Sequence, residues 1–411
     1  MEINQEQLWR ELETLATFSD VSAPAVTRVV FSPADLQARA YVKELCRSVG
    51  LVIREDAVGN TFARWEGREP TLPAVATGSH IDAIPNAGRY DGTVGVLGGL
   101  EAIRTLQRGG IKPRRSIELV VFTSEEPTRF GIGCLGSRLL SQTLDSAAAA
   151  QMKDRDGKTL EEVRRQAGFG GPLTEVALGP GHYSSFIELH IEQGPLLERA
   201  RKTLGLVTAI AAPASLRILI EGEGGHAGAV LMPDRRDALV AAAEVVLAVE
   251  RLARLTGAAD TVATVGVCEV FPGAVNSIPS RVRLEVDVRD IDLARRDDVL
   301  SALATTCEQV GARRKLAVRH EVINADAPVQ SDPAIVEALT QSAEMLGFPY
   351  LRMVSRAYHD SLFMSRIAPV AMLFIPCRGG VSHRPDEYAS PEDIARGTLV
   401  LAQALQKLAN E

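Results

Sequence analysis

A two-domain α/β protein is the fold class this chain predicts: a larger domain on a mostly parallel sheet, interrupted by an inserted α+β domain of ferredoxin-like type. Three observations carry that reading. The 411 residues, at 46% hydrophobic composition, exceed what one core ordinarily supports. Between residues 72 and 123 a buried strand, a helical pattern and another strand follow one another, which implies parallel strands with helices on their faces. Between about residues 212 and 325 the texture changes to strand, helix, two strands, helix and strand, a compact unit of its own.

Taken in order, residues 1–10 read as a polar amphipathic helix without the basic and apolar regions of a secretion signal, and no run reaches membrane-spanning length. A soluble, cytoplasmic protein is therefore expected. Residues 72–77 are a buried strand that ends in Gly78-Ser79-His80, a position where loops converge on a cleft. Residues 93–107 place apolar side chains at helical spacing, and 117–123 form the next strand. In the insertion, 215–221 alternates, 237–255 is helical, 261–271 and 280–289 are strands, 292–310 is a helix and 316–323 a last strand. The first pattern resumes with a helix at 332–346, a strand at 370–375 and a helix from Pro391. The catalytic domain is accordingly 1–211 with 326–411, and the insertion is 212–325.

Charge and cysteines narrow the function. A net charge of −7 and a pI near 5.7 argue against nucleic acid or an anionic membrane as partner, since both call for a basic face, and a small molecule fits better. Five cysteines without close pairing suit buried thiols in a reducing compartment rather than a disulfide frame.

The chemistry-bearing residues sit at the ends of these elements. Glu125 and Glu126 adjoin the end of the 117–123 strand, where two carboxylates repel and resist desolvation unless a cation is near. Successive side chains diverge, so one can ligate metal while the other serves as general base. His80 and Asp82 alternate, and Asp82 is expected to accept a hydrogen bond from the His80 imidazole and fix its tautomer. Asp91, beside Gly92, is the candidate bridge, because a carboxylate offers one oxygen to each of two cations. His190 and His383 would complete the set. Any one of these residues alone reads more readily as a cap or turn residue. Together, three histidines and three or four carboxylates suit zinc or manganese rather than calcium.

The motifs Thr77-Gly-Ser-His-Ile-Asp82, Tyr90-Asp-Gly92, Thr123-Ser-Glu-Glu-Pro127, Glu188-Leu-His-Ile-Glu-Gln-Gly194 and Gly224-Gly-His-Ala-Gly228 together resemble the hydantoinase/carbamoylase branch of metal-dependent amidases. The resemblance covers nearly the whole chain. It implies two metal ions per subunit, manganese first and zinc as alternative, with His80 and His190 on one, Glu126 and His383 on the other, Asp91 on both and Glu125 transferring protons. It also implies a homodimer in which the insertion acts as lid and dimerisation domain. Further implied contacts are His226, supplied by the partner subunit to stabilise an oxyanion, Asn276, Gln193, and Arg289 gripping a substrate carboxylate. For Arg289 an ordinary ion pair with Asp287 or Asp290 is the alternative.

Within the branch, Ser355-Arg-Ala-Tyr-His-Asp-Ser-Leu-Phe-Met364 looks closest to the members that act on ureidoglycolate. Other members, which act on allantoate or N-carbamoyl amino acids, carry small residues where this chain has Arg356 and Tyr358. A narrower, more polar cleft, with Tyr358 and His359 among the substrate contacts, implies hydrolysis of the ureido group of (S)-ureidoglycolate. For Tyr358 structural packing is an equal alternative. For the function the alternative is an allantoate amidohydrolase or N-carbamoyl-L-amino-acid hydrolase, which would share every metal ligand. A catalytically silent ligand-binding clamp is the rival of another class, and a retained Glu125 speaks against it.

Overall fold

The strands Ala74–His80, Ile117–Phe122 and Val370–Ile375 are buried along their whole length, as expected where both faces of a sheet are covered. They form the centre of a mixed sheet in the computed structural model, which describes residues 1–411. Across the sheet the order is Leu204–Ile210, Val370–Ile375, Tyr183–Ile191, Ala74–His80, Ile117–Phe122, Thr61–Trp65, Val52–Glu55. The four strands from Val370–Ile375 to Ile117–Phe122 are mutually parallel. The flanking pairs are antiparallel.

A mostly parallel sheet was the expectation, and the antiparallel flanks correct it. The cause is local on one side. Between Val52–Glu55 and Thr61–Trp65 the Asp56 carboxylate accepts from Val58 N at 3.0 Å, Asn60 N at 2.9 Å and Asn60 Nδ2 at 2.7 Å. That side-chain turn closes a hairpin, whereas parallel neighbours need a long crossover.

The helix Thr93–Arg108 shows how closely the layers approach. A Cβ at Gly95 would stand 2.4 Å from the Leu189 carbonyl oxygen and 2.7 Å from Ser79 Cβ, so glycine is what lets this helix lie against two central strands. Pro391–Leu408 begins with Ser390 accepting from Asp393 N at 3.0 Å and a proline in the first turn, a start signal legible in the sequence. These two helices share one core with Gln5–Thr17 and Pro333–Met345, through Leu100, Ile103, Leu401, Leu405, Leu12 and Leu339. No helix is long and apolar enough to cross a membrane.

The chain folds as two compact units, Met1–Thr208 with Ser331–Glu411, and Ala209–Gln330. The division falls at 209 and 330, a few residues outside 212 and 325, where the outgoing and returning chains pair, with Val329 opposite Ile210 and Gln330 opposite Ala209. In the second unit, Ala212–Glu221, Val262–Phe271, Arg281–Asp290 and Ala317–Ala325 form an antiparallel sheet in the spatial order second, third, first, fourth. Ala238–Leu255 and Leu293–Arg314 cover it, burying Ile218, Ile220, Leu284 and Val286 against Val245, Val249, Val299 and Leu303. Alternate residues of Arg281–Asp290 are buried, the two-residue period of a strand with one covered face.

In the first unit the consequence for function is geometric. Parallel strands all end on one edge of the sheet, which is where sites form in such folds. His80 ends its strand, His190 lies one residue from the end of Tyr183–Ile191, Glu125 and Glu126 follow Ile117–Phe122, and His383 follows Val370–Ile375.

Candidate active site

Asp91 stands at the centre of the convergence. Its Oδ1 faces His190 Nε2 at 3.2 Å and His80 Nε2 at 3.5 Å. Its Oδ2 faces His383 Nε2 at 3.4 Å, and His383 Nε2 is also 3.4 Å from Glu126 Oε1. Two donor groups result, His80 with Asp91 and His190, and Asp91 with Glu126 and His383, and the ligand atoms of each group lie within 4.8 Å of one another. The two oxygens of one carboxylate thus look toward different pairs of donors. Gly92 permits this: its φ is 67°, and a Cβ there would stand 2.5 Å from the His80 ring.

The histidines of the first group are fixed from behind. His80 Nδ1 lies 3.1 Å from the carbonyl oxygen of Asp82, and His190 Nδ1 lies 2.9 Å from that of Ile191. With a carbonyl oxygen at Nδ1, each ring turns its Nε2 toward Asp91. For Asp82 this corrects the expected role, since its main chain rather than its carboxylate orients His80. The carboxylate oxygen is 3.7 Å away. It accepts instead from Glu125 N at 3.2 Å and Glu126 N at 3.1 Å. Hydrogen bonds to a charged group contribute about 1.5–3 kcal/mol each, comparable to the roughly 1–3 kcal/mol of holding a residue such as Ser124 at φ 56°. Asp82 therefore shapes the turn that aims the two glutamates.

The glutamates diverge as their adjacency predicts. Glu126 faces His383, while Glu125 Oε2 lies 3.8 Å from His80 Nε2 and Glu125 Oε1 accepts from the Cys134 thiol at 3.4 Å. Gln193 donates to Asp91 Oδ2 at 2.7 Å, and its own buried Oε1 has no partner. His359 is buried behind His190, ring centroids 4.7 Å apart and edge to face, with its Nε2 2.9 Å from Ser355 Oγ. Tyr358 is half-buried, stacked on Phe363 and within 3.4 Å of Arg138. Arg356 is exposed.

Three candidates belong to the second unit. His226 lies in a two-residue ladder opposite Ser277, and Asn276 sits just before that ladder, its carbonyl accepting from Ala227 N at 2.9 Å. Arg289 donates to both oxygens of Asp287, at 2.8 and 3.3 Å, the ion pair weighed as its alternative, while Asp290 pairs with Arg295. Sequence reasoning missed Ser382, Glu387 and Cys134, which touch Asp91 or Glu125. Glu387 has no mark in the sequence beyond its place four residues after His383.

The electrostatics are those of an acid cluster short of positive charge. Burial pushes Glu125 well above the usual carboxylate range, with Glu126, Asp360 and Asp91 adding to it and His80 opposing. Burial, then Asp91, pushes Glu126 and Glu387 up to about 7. Burial would raise Asp91 too, but hydrogen bonds with three imidazoles hold it well below. His80 is raised despite its burial by Glu125, Asp91 and Asp82. Oxygen and imidazole donors in this number, like charges brought together out of water, and the unpartnered Gln193 Oε1 fit a divalent cation site.

A cluster of this kind at the carboxyl edge of parallel strands, with a buried glutamate beside it, defines a hydrolase. The chain belongs to peptidase family M20/M25/M40, whose family model matches residues 76–407. It is 51% identical to a ureidoglycolate hydrolase of Arabidopsis thaliana over 99% of this chain and 87% of that protein. To an N-carbamoyl-L-amino acid amidohydrolase of Geobacillus stearothermophilus it is 38% identical over 99% of both. Among solved structures, AtUAH in complex with (S)-hydroxyglycine superposes with a TM-score of 0.88 at 50% identity, covering 100% of this chain and 98% of that one.

The same charges set a stability prediction. Glu126 and Glu387 have higher pKa values folded than the ordinary 4.5, so folding takes up protons and stability falls as pH rises from about 4.5 to 7. His383, raised from 6.5 to about 9 first by its bond to Asp91, contributes stability below 6.5 that is lost as pH passes 9. Both slopes have one sign. Buried His359, held well below 6.5, opposes this slope up to 6.5. Chelator-treated protein should therefore melt at steadily lower temperature from about pH 7 to 9, and added divalent metal should restore most at the alkaline end; melting temperatures that stay flat, or rise, over that window would contradict it.

Proposed function

We propose that this chain is a ureidoglycolate amidohydrolase that converts (S)-ureidoglycolate to glyoxylate, ammonia and carbon dioxide, a step of purine catabolism. The observation that carries the reading is Glu125, a carboxylate raised by burial and set 3.8 Å from His80 at the edge of the Asp91 cluster. The relatives support the substrate: ureidoglycolate hydrolases of Arabidopsis thaliana and Oryza sativa are each 51% identical to this chain. AtUAH has been crystallised with (S)-hydroxyglycine and with glyoxylate, the compounds expected after loss of the first ammonia and carbon dioxide, and then of the second ammonia.

In this reading His80 and His190 hold one divalent ion, Glu126 and His383 the other, and Asp91 both. Manganese is the first choice and zinc the alternative. Such ions supply Lewis acidity toward water and the ureido carbonyl. Glu125 takes the proton from the attacking water and delivers it to the departing nitrogen, so that the C–N bond breaks with release of ammonia and leaves a carbamate. The raised pKa of Glu125 suits both halves of that transfer. Gln193 contacts the substrate beside Asp91, and Tyr358 with Arg356 narrows the cleft. Arg289 binds the carboxylate and Asn276 assists.

In this reading the insertion is a ferredoxin-like lid and dimerisation domain of a cytoplasmic homodimer, a topology its strand order supports, and His226 enters the partner's site to stabilise the oxyanion.

Ammonia release should be fastest with ureidoglycolate when it is compared with allantoate and N-carbamoyl amino acids, in manganese and in zinc. A preference for allantoate would remove the substrate assignment and leave the hydrolase. Glu125→Gln should keep metal binding and lose about 10²- to 10⁴-fold in kcat; turnover near that of the unaltered enzyme would take Glu125 out of the mechanism. Inactive His226→Ala and inactive Glu125→Gln chains, mixed and reassembled, should regain part of the activity, because one site of the heterodimer combines intact parts. Proven subunit exchange without recovery would place His226 in its own subunit's site.

A further inference from the structure

The two donor groups are not supported alike. His80 and His190 are buried, sit on strands, and have Nδ1 bound to main-chain carbonyls. His383 has none of these supports. It is 47% exposed, lies in the irregular segment after Arg378–Gly380, and has φ 59°, a left-handed conformation that a non-glycine residue keeps only when neighbours impose it.

Beside this segment lies Glu387, buried to 4% exposure. Its Oε1 accepts from Tyr90 N at 2.8 Å and Asp91 N at 3.2 Å. Its Oε2 lies 2.9 Å from Ser382 Oγ, the residue before His383, and Ser382 Oγ is 2.7 Å from Asp91 Oδ2. One carboxylate thus grips the main chain at Asp91 and, through a hydroxyl, the segment that carries His383. The fit is close, since a Cβ at Gly88 would stand 2.3 Å from the Glu387 side chain. Next to it Tyr388 packs edge-on against Tyr90, ring centroids 6.1 Å apart, and binds the two segments a second time.

We propose that Glu387 is a positioning residue that sets chiefly the cation affinity of the Asp91, Glu126 and His383 group, because His80 and His190 on the other side of Asp91 are held by their own strands. This rests on the metal reading given above. Outer partners of metal ligands commonly contribute 10- to 100-fold to affinity, and here the contribution falls chiefly on one group of the two.

The test is titration of chelator-stripped full-length protein with Mn²⁺ alone, followed by calorimetry and by the electron paramagnetic resonance of bound and coupled Mn²⁺. The unaltered chain should bind two ions; fewer than two would overturn the metal reading itself, and this inference with it. Glu387→Ala should keep one tight ion, weaken the other about 10- to 100-fold and lose the coupled signal. Glu387→Gln should restore most of the second affinity, since an amide oxygen accepts from Tyr90 N and Asp91 N and the amide nitrogen donates to Ser382. Two ions at unaltered affinity in Glu387→Ala, or equal weakening of both, would overturn the proposal. If Glu387→Ala does not fold, Ser382→Ala removes the hydroxyl link alone and should weaken the same ion; unchanged affinity there would overturn it equally.

Discussion

One carboxylate facing two ways is the constraint on which the rest of the first unit depends. Asp91 has His80 and His190 against one oxygen and His383 against the other, and each of those side chains arrives on a different element. For all of them to meet, four strands must run parallel and end together, a helix must start at Gly92 with a left-handed residue, and the layers must pack as tightly as Gly95 allows. The fold is thus read most directly as a means of bringing acids and imidazoles to one sheet edge.

That gathering opposes itself electrostatically. Glu125 and Glu126 are adjacent in sequence, withdrawn from water, and near Asp91, and burial raises both, joined by Glu126 and Asp360 at Glu125 and by Asp91 at Glu126. Two further acids hold them in place from outside. Asp82 takes the N–H groups of Glu125 and Glu126, and Glu387 takes those of Tyr90 and Asp91. The same device, a buried carboxylate accepting two successive N–H groups, appears on either side of the cluster. Charge-assisted bonds of this kind are short-range and directional, which is why they fix loops that no strand pairing reaches.

Much of this arrangement was legible in the sequence, for physical reasons. Strand-to-helix alternation from residue 72 to 123 follows from hydrophobic period, and the donors stand where those periods break. What escaped was of two kinds. Main-chain acceptors leave no trace in residue identity, so the His80 imidazole meets the Asp82 carbonyl where its carboxylate was expected. Contacts between residues far apart in sequence leave none either, as with Glu387 on Asp91 and Arg138 on Tyr358. The antiparallel flanks of the sheet were foreshadowed only by the Asp56-to-Asn60 turn, which a search for crossovers passes over. Arg289 was read as a carboxylate clamp or an ion pair, and its bond to Asp287 is compatible with either, since a guanidinium has five N–H donors.

The bridging role of Asp91 is most directly measured by crystals grown with Mn²⁺ and examined by anomalous scattering at the manganese edge. Two peaks should appear, one on the His80 and His190 side of the Asp91 carboxylate and one on the Glu126 and His383 side, about 3.5–4 Å apart as in co-catalytic sites. A single peak, or two with Asp91 turned away from either, would contradict the bridge and with it the assignment of every ligand built around it.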